Sequence, residues 1–173
     1  RVFDGTDSSN VQTRDISVAS VNTAPALSEI ESSSLFYSAG DTTIISSTIE
    51  LTDPDDTNIE TATIQITTGY NSVEDSLTFD DIYGITDSWN DGTGTLTLTG
   101  PASKTDFETA LRLVTYLNTA STPTDAVRTV TFTANDGDDN SNTQARNISF
   151  SIPKSVNGLF LWLKGDAGTY SNT

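Results

Sequence analysis

The side chains best suited to chemistry in this chain are carboxylates, and they come in clusters. The stretch TDPDD, residues 52–56, offers Asp53, Asp55 and Asp56; NDGDD, residues 135–139, offers Asp136, Asp138 and Asp139 around a glycine. Alternate carboxylates such as Asp53 and Asp55 in a loop suit a hard cation, because Ca2+ takes six to eight oxygen ligands and tolerates irregular geometry. The same residue types also build turns through their own side-chain hydrogen bonds, with no metal at all. A third string, EDSLTFDD at 74–81, carries Glu74, Asp75, Asp80 and Asp81. It reads as solvated strand ends, since a glycosidase pair also needs a cleft and aromatic platforms for the sugar. NDGTG at 90–94 reads as a turn.

Composition narrows the chemistry further. The 173 residues include no Cys and no His, which excludes thiolate and imidazole metal sites, Ser-His-Asp triads and cysteine nucleophiles. A carboxylate pair is the remaining catalytic option, and without a convergent site the chain reads as a non-enzyme. Twenty-four acidic against eight basic residues, net charge -16, argue against nucleic acid or an anionic membrane as a partner. The acidic, Thr/Ser/Asn-rich, Cys-free composition fits an extracellular protein of a bacterial or archaeal surface. No apolar run reaches the roughly 18 residues of a membrane span, so direct membrane insertion is not expected.

An internal repeat sets the domain organisation. DGTDSSNVQTRDIS, residues 4–17, matches DGDDNSNTQARNIS, residues 136–149, at nine of fourteen positions. Asp-Gly turn chemistry accounts for the glycine, but not for Gln12, Arg14 and Ile16 recurring in register as Gln144, Arg146 and Ile148. The expected division is therefore residues 1–21 as the tail of a preceding unit, 22–152 as one complete unit, and 153–173 as a linker with the first strand of another domain. The absence of Met and of a signal-peptide pattern agrees with an excerpt from a longer protein.

Seven segments of the full unit alternate apolar and polar residues with period two: 43–52, 61–70, 75–81, 94–100, 113–119, 128–136 and 146–153. Thr, Ile, Val, Tyr and Phe fill them while Gly, Asn, Asp and Pro fill the gaps, which predicts an all-β Greek-key sandwich of about seven strands. Asp91-Gly92 and the 135–140 hairpin are placed where positive backbone angles are needed. SKTDFETALRLV, residues 103–114, departs from this pattern. Thr105 and Glu108 have capping-box spacing, and Phe107, Leu111 and Val114 have helical spacing, which predicts one short helix closing an end of the sandwich.

Against these elements a resemblance stands out. VNTAP (21–25), DPD (53–55) and ANDG (134–137) resemble the calcium-site elements of cadherin and bacterial cadherin-like repeats. That resemblance implies Asn22, Asp53, Asp55 and Asp136 as calcium ligands at the joint between units. The stretch from ATIQITTGY to TALRLVTYLNT is similar to repeats of very large bacterial surface adhesins. Two departures reduce the number of ions implied: Ser38 and Ala39 stand near the usual ligand glutamate, and Val21 and Thr23 flank Asn22 where a longer acidic run is common. LFLWLKGDAGTYSNT, residues 159–173, resembles the opening of concanavalin or LamG-type domains and implies a downstream sugar- or ligand-binding module.

Together these readings imply a calcium-stiffened spacer on a bacterial cell surface, with neighbouring repeats of the same chain as its first partners. Trp89, beside the 90–94 turn, is the candidate contact for a surface carbohydrate or protein if the unit is itself a binding module; an accessory domain of a secreted glycosidase is a further alternative. Arg128 and Arg146 read as ion-pair partners of nearby acids.

Overall fold

The computed structural model describes residues 1–18, 21–124 and 126–150. The expected lectin-like segment at 153–173 and its linker lie outside the described residues. The described residues form an all-β sandwich with one helix. In order, the elements are β1 (Ala26–Ser28), β2 (Leu35–Tyr37), β3 (Thr42–Ile44), β4 (Glu50–Thr52), β5 (Asn58–Thr68), β6 (Asp75–Thr78), β7 (Thr86–Asn90), β8 (Thr95–Ser103), α1 (Lys104–Leu113), β9 (Thr115–Asn118), β10 (Arg128–Asn135) and β11 (Gln144–Phe150). Six strands make the larger sheet in the order β2-β11-β10-β5-β8-β7; β3-β9-β6 and β1-β4 make the opposing pieces.

All seven expected strand segments contain a strand, although 43–52 splits into β3 and β4 around Ile45–Ile49. The structure adds β1, β2 and β7, giving eleven strands among the described residues where about seven were expected. β1 and β2 are three residues long, too short to show a period of two, and β7 is a nearly all-exposed edge strand whose sequence TDSWN carries no apolar alternation. The alternation that was visible is the core. In β10 every second residue, Arg128, Val130, Phe132 and Ala134, points inward, on the same buried face of the sheet as Ile59, Ala62, Ile64 and Ile66 of β5 and Leu96 and Leu98 of β8. β2 lies parallel to β11, with Ile148 opposite Leu35, while the other pairs of the sheet are antiparallel.

The helix falls where expected, but its cap does not. Ser103, not Thr105, is the N-cap: its Oγ accepts from Asp106 N at 3.1 Å and donates to Asp106 Oδ2 at 2.7 Å. Glu108 instead accepts from Leu51 N at 3.0 Å and pairs with Arg112 one turn on, tying the helix to β4. Two overlapping S/T-x-x-acid strings start here, and the continuation of β8 through Ser103 selects the earlier one. Ser103→Ala is expected to cost about 1 kcal/mol in chemical denaturation. At the 90–94 turn the left-handed residue is Gly94 (φ 66°), not Gly92, and the Tyr70 ring lies where a Cβ on Gly94 would sit.

Candidate metal centre

One pole of the sandwich gathers the end of β4, the starts of β5 and α1, the β10–β11 hairpin and the segment entering β1. Asp53 follows β4 and is 6% exposed. Its Oδ1 accepts from the amides of Asp55 (3.1 Å) and Asp56 (2.8 Å), so the DPDD loop folds around it. Its Oδ2 is buried and has no hydrogen-bond partner. Oxygens of Asp53, Asp55 and Asp56 lie within 4.8 Å of one another. Asp55 reaches the entry segment, where its Oδ2 accepts from Thr23 N at 3.1 Å.

The second acidic loop closes against the same segment. Asn22 Nδ2 donates to Asp136 Oδ2 at 3.0 Å and to Asp139 Oδ2 at 3.2 Å, while Asp136 Oδ1 accepts from the amides of Asp138 and Asp139. Burial works to raise the Asp136 carboxyl, but those amides and the Asn22 side chain outweigh it and hold the group below its ordinary value. Asp56 goes the other way. Desolvation first, then the charges of Asp53, Asp55, Asp136 and Asp138, push it up. The two acidic loops therefore share one electrostatic field.

The fold thus brings all four candidate ligands, Asn22, Asp53, Asp55 and Asp136, to one pole, and adds Asp56 and Asp139. Asp139 carried a readable signal, since it recurs as Asp7 in the repeat. Lys104 carried none. From its place at the start of α1 its Nζ donates to the carbonyl oxygen of Asp53, which brings a basic side chain to the first acidic loop.

The opposite pole holds a buried ionic network. Arg128 is fully buried; its Nε donates to Asp75 Oδ2 at 3.0 Å and its Nη2 to Glu74 Oε2 at 3.1 Å, and its guanidinium carbon lies 4.6 Å from the centre of the Phe150 ring. Asp75 also accepts from Tyr116 Oη, from Asn118 Nδ2 and from Asn71 N. Asp75 is thus 4% exposed and not at a solvated strand end, because Arg128 arrives from a strand 53 positions later. Arg146 pairs with Glu31 at 3.3 Å.

Burial opposes ionisation of Glu31, but the hydroxyls of Ser46 and Ser47 and the Ser47 amide lower its carboxyl from 4.5 to about 2. A carboxyl depressed on folding stabilises the fold above its unfolded value and loses that contribution as pH falls through the folded one. The melting temperature is therefore expected to fall between about pH 4.5 and 2, and Glu31→Gln should flatten part of that fall.

Trp89 is half-buried. Its ring packs on the core and makes an edge-on contact with Tyr70, with centroids 6.2 Å apart. It lines an open depression of about 320 Å3 with Ser72, Glu74, Asp91 and Thr119.

The described residues define a β-sandwich unit with an acidic pole that grips its own entry segment. No family model matches the chain. Over 115 residues, 64% of this chain, it is 35% identical to Halomucin of Haloquadratum walsbyi, and the match spans about 1% of that protein's length. The chain is similar to a small part of a very long protein. Among the described residues no helix is long and apolar enough to cross a membrane.

Proposed function

We propose that this chain is a structural repeat of a long extracellular surface protein, a calcium-stiffened spacer that presents a binding domain and performs no catalysis itself. The observation that carries this reading is Asp53: one of its carboxylate oxygens is buried without a hydrogen-bond donor, and the residue is one of three acids whose oxygens lie within 4.8 Å of one another. Burying an unpaired charge is costly, and like charges at this separation repel by about 1 kcal/mol per pair even in water. A divalent cation relieves both terms, and a donor set made only of oxygen selects a hard one.

The residues present fit such an ion. Asp53 Oδ2 with carboxylate oxygens of Asp55, Asp56 and Asp136 would form the charged part of the shell. Asn22 now points its amide nitrogen at the acids, and rotation about χ2 would offer its oxygen instead. Because Asn22 and Thr23 belong to the segment entering the unit, a bound ion would fix that segment's direction and couple metal to rigidity and stability. Similarity to a small part of Halomucin, a protein whose name places it among mucins, supports a place in a long surface chain.

Thermal unfolding with calcium and then with excess chelator tests this. At calcium about 100-fold above its dissociation constant the gain is about 2.7 kcal/mol, and scattering from a two-unit chain should show a longer particle. Equal melting temperatures in the two conditions would reduce the acidic loops to turns. A second reading, recognition of carbohydrate or protein by the unit itself, is favoured by the depression beside Trp89. In that case Trp89→Ala would abolish binding to a glycan or protein panel and leave the calcium response intact.

A further inference from the structure

Residues 2–9 and 134–141 fold into the same hairpin. Phe3 bridges Ser8 as Asn135 bridges Asn140. The Asp4 amide donates to Asp7 O at 3.3 Å as Asp136 does to Asp139 at 3.4 Å, and Asp4 Oδ1 takes the amides of Thr6 and Asp7 as Asp136 Oδ1 takes those of Asp138 and Asp139. Val2 N donates to Ser9 Oγ at 2.9 Å, and Ala134 N to Ser141 Oγ at 2.9 Å. Gly5 and Gly137 hold φ of 104° and 112°.

The two copies differ in what lies beyond the turn. In the complete unit the repeated residues reach back to the start of that unit. Asn142 Oδ1 accepts from Leu27 N and its Nδ2 donates to Leu27 O, both at 2.8 Å, and Gln144 Nε2 donates to Leu27 O at 2.9 Å. Arg146 spans Ser33 O, Ile45 O and Glu31, and Ile148 is fully buried. Their counterparts Asn10, Gln12, Arg14 and Ile16 are all exposed, Ile16 at 84%, and among the described residues Gln12 and Arg14 make no side-chain hydrogen bond or ion pair. Repeating an amide that pairs with backbone, a guanidinium that needs a carboxylate and an isoleucine that needs a core is without consequence for an exposed tail. It is necessary for a strand that completes a sheet.

We infer that residues 1–18 are a docking element whose partner is a second sandwich of this architecture, located earlier in the same polypeptide. That partner presents a backbone amide and carbonyl to Asn10 and Gln12 as Leu27 does, a carboxylate to Arg14 as Glu31 does, and a core slot to Ile16. Residues 12–18 enter it as β11 enters the unit described here, parallel to a β2-like strand on one side and antiparallel to a β10-like strand on the other. The inference rests on the repeat-array part of the proposed function and not on calcium.

Hydrogen exchange tests it on two chains, one starting at Arg1 and one extended at the N-terminus through the preceding unit of the parent, both in excess chelator. Amides 12–17 are expected to exchange on the order of 100-fold more slowly in the extended chain, with Arg14→Ala reversing part of that protection. Equal exchange in the two chains overturns the inference. So does protection in the shorter chain that grows with concentration, since the partner is then another molecule. Replacing residues 136–149 by 4–17 supplies a second test: the chimera should unfold cooperatively with β11 protected, and a chimera in which β11 exchanges freely also overturns it. Because chelator is present throughout, failure of the calcium reading and failure of this one are distinguishable.

Discussion

Arg128→Ala is expected to remove about 3–5 kcal/mol of folding stability, the usual effect of breaking a buried ion pair from one side. Its guanidinium is fully buried and its five donors are spread over Asp75, Glu74, the Thr124 hydroxyl and the carbonyls of Thr124 and Ala126. Alanine leaves the Asp75 carboxylate in the core with Tyr116, Asn118 and the Asn71 amide as donors but no opposing charge, and it unhooks residue 124 from β10. Lost packing against Phe150 adds to the cost. Urea denaturation measures the effect. Arg128→Met combined with Asp75→Asn should recover part of it, because the double variant leaves no charge at the fully buried Asp75 position and strands only the partly exposed Glu74 carboxylate. A single-variant cost under about 1 kcal/mol would mean that water reaches this network and replaces the guanidinium.

Asp53→Asn is expected to abolish the calcium-linked rise in melting temperature while leaving the calcium-free protein at least as stable as the parent. The asparagine Oδ1 can still accept from the amides of Asp55 and Asp56, so the loop keeps its turn. Its Nδ2 takes the place of the unpaired Oδ2, and loss of the Asp53 charge relieves repulsion with Asp55 and Asp56 in the absence of metal. The expected loss is the whole binding term, about 2.7 kcal/mol at calcium 100-fold above its dissociation constant. Differential scanning calorimetry of both proteins, each with calcium and with chelator, separates the two effects. If the variant melts below the parent in chelator and still responds to calcium, Asp53 is a structural turn residue and the ion sits elsewhere.

Period-two alternation was legible wherever a strand is long and has one buried face, as in β5, β8 and β10, and it was silent for β1 and β2, whose three residues sample too little of the pattern. Helix α1 was legible from Phe107, Leu111 and Val114; its cap was not, because Ser103 and Thr105 both precede an acid by three positions and only the end of β8 distinguishes them. The candidate ligands were readable because Asp and Asn at loop positions advertise themselves. Asp75 was misread as solvated, since nothing near it in sequence announces the arginine that neutralises it.

The amino-acid sequence by itself determined the sandwich class, the helix, the repeat between 4–17 and 136–149, and the acidic residues available to a cation, because each of these depends on local composition or on spacing along the chain. Only the tertiary structure decided that loops at 22–23, 53–56 and 136–139 meet at one pole, that Asp53 keeps an unpaired oxygen there, and that Arg128 and Asp75 are buried together at the other. Those are contacts between residues 30 to more than 100 positions apart. Their formation depends on strand order and register, which no single segment encodes.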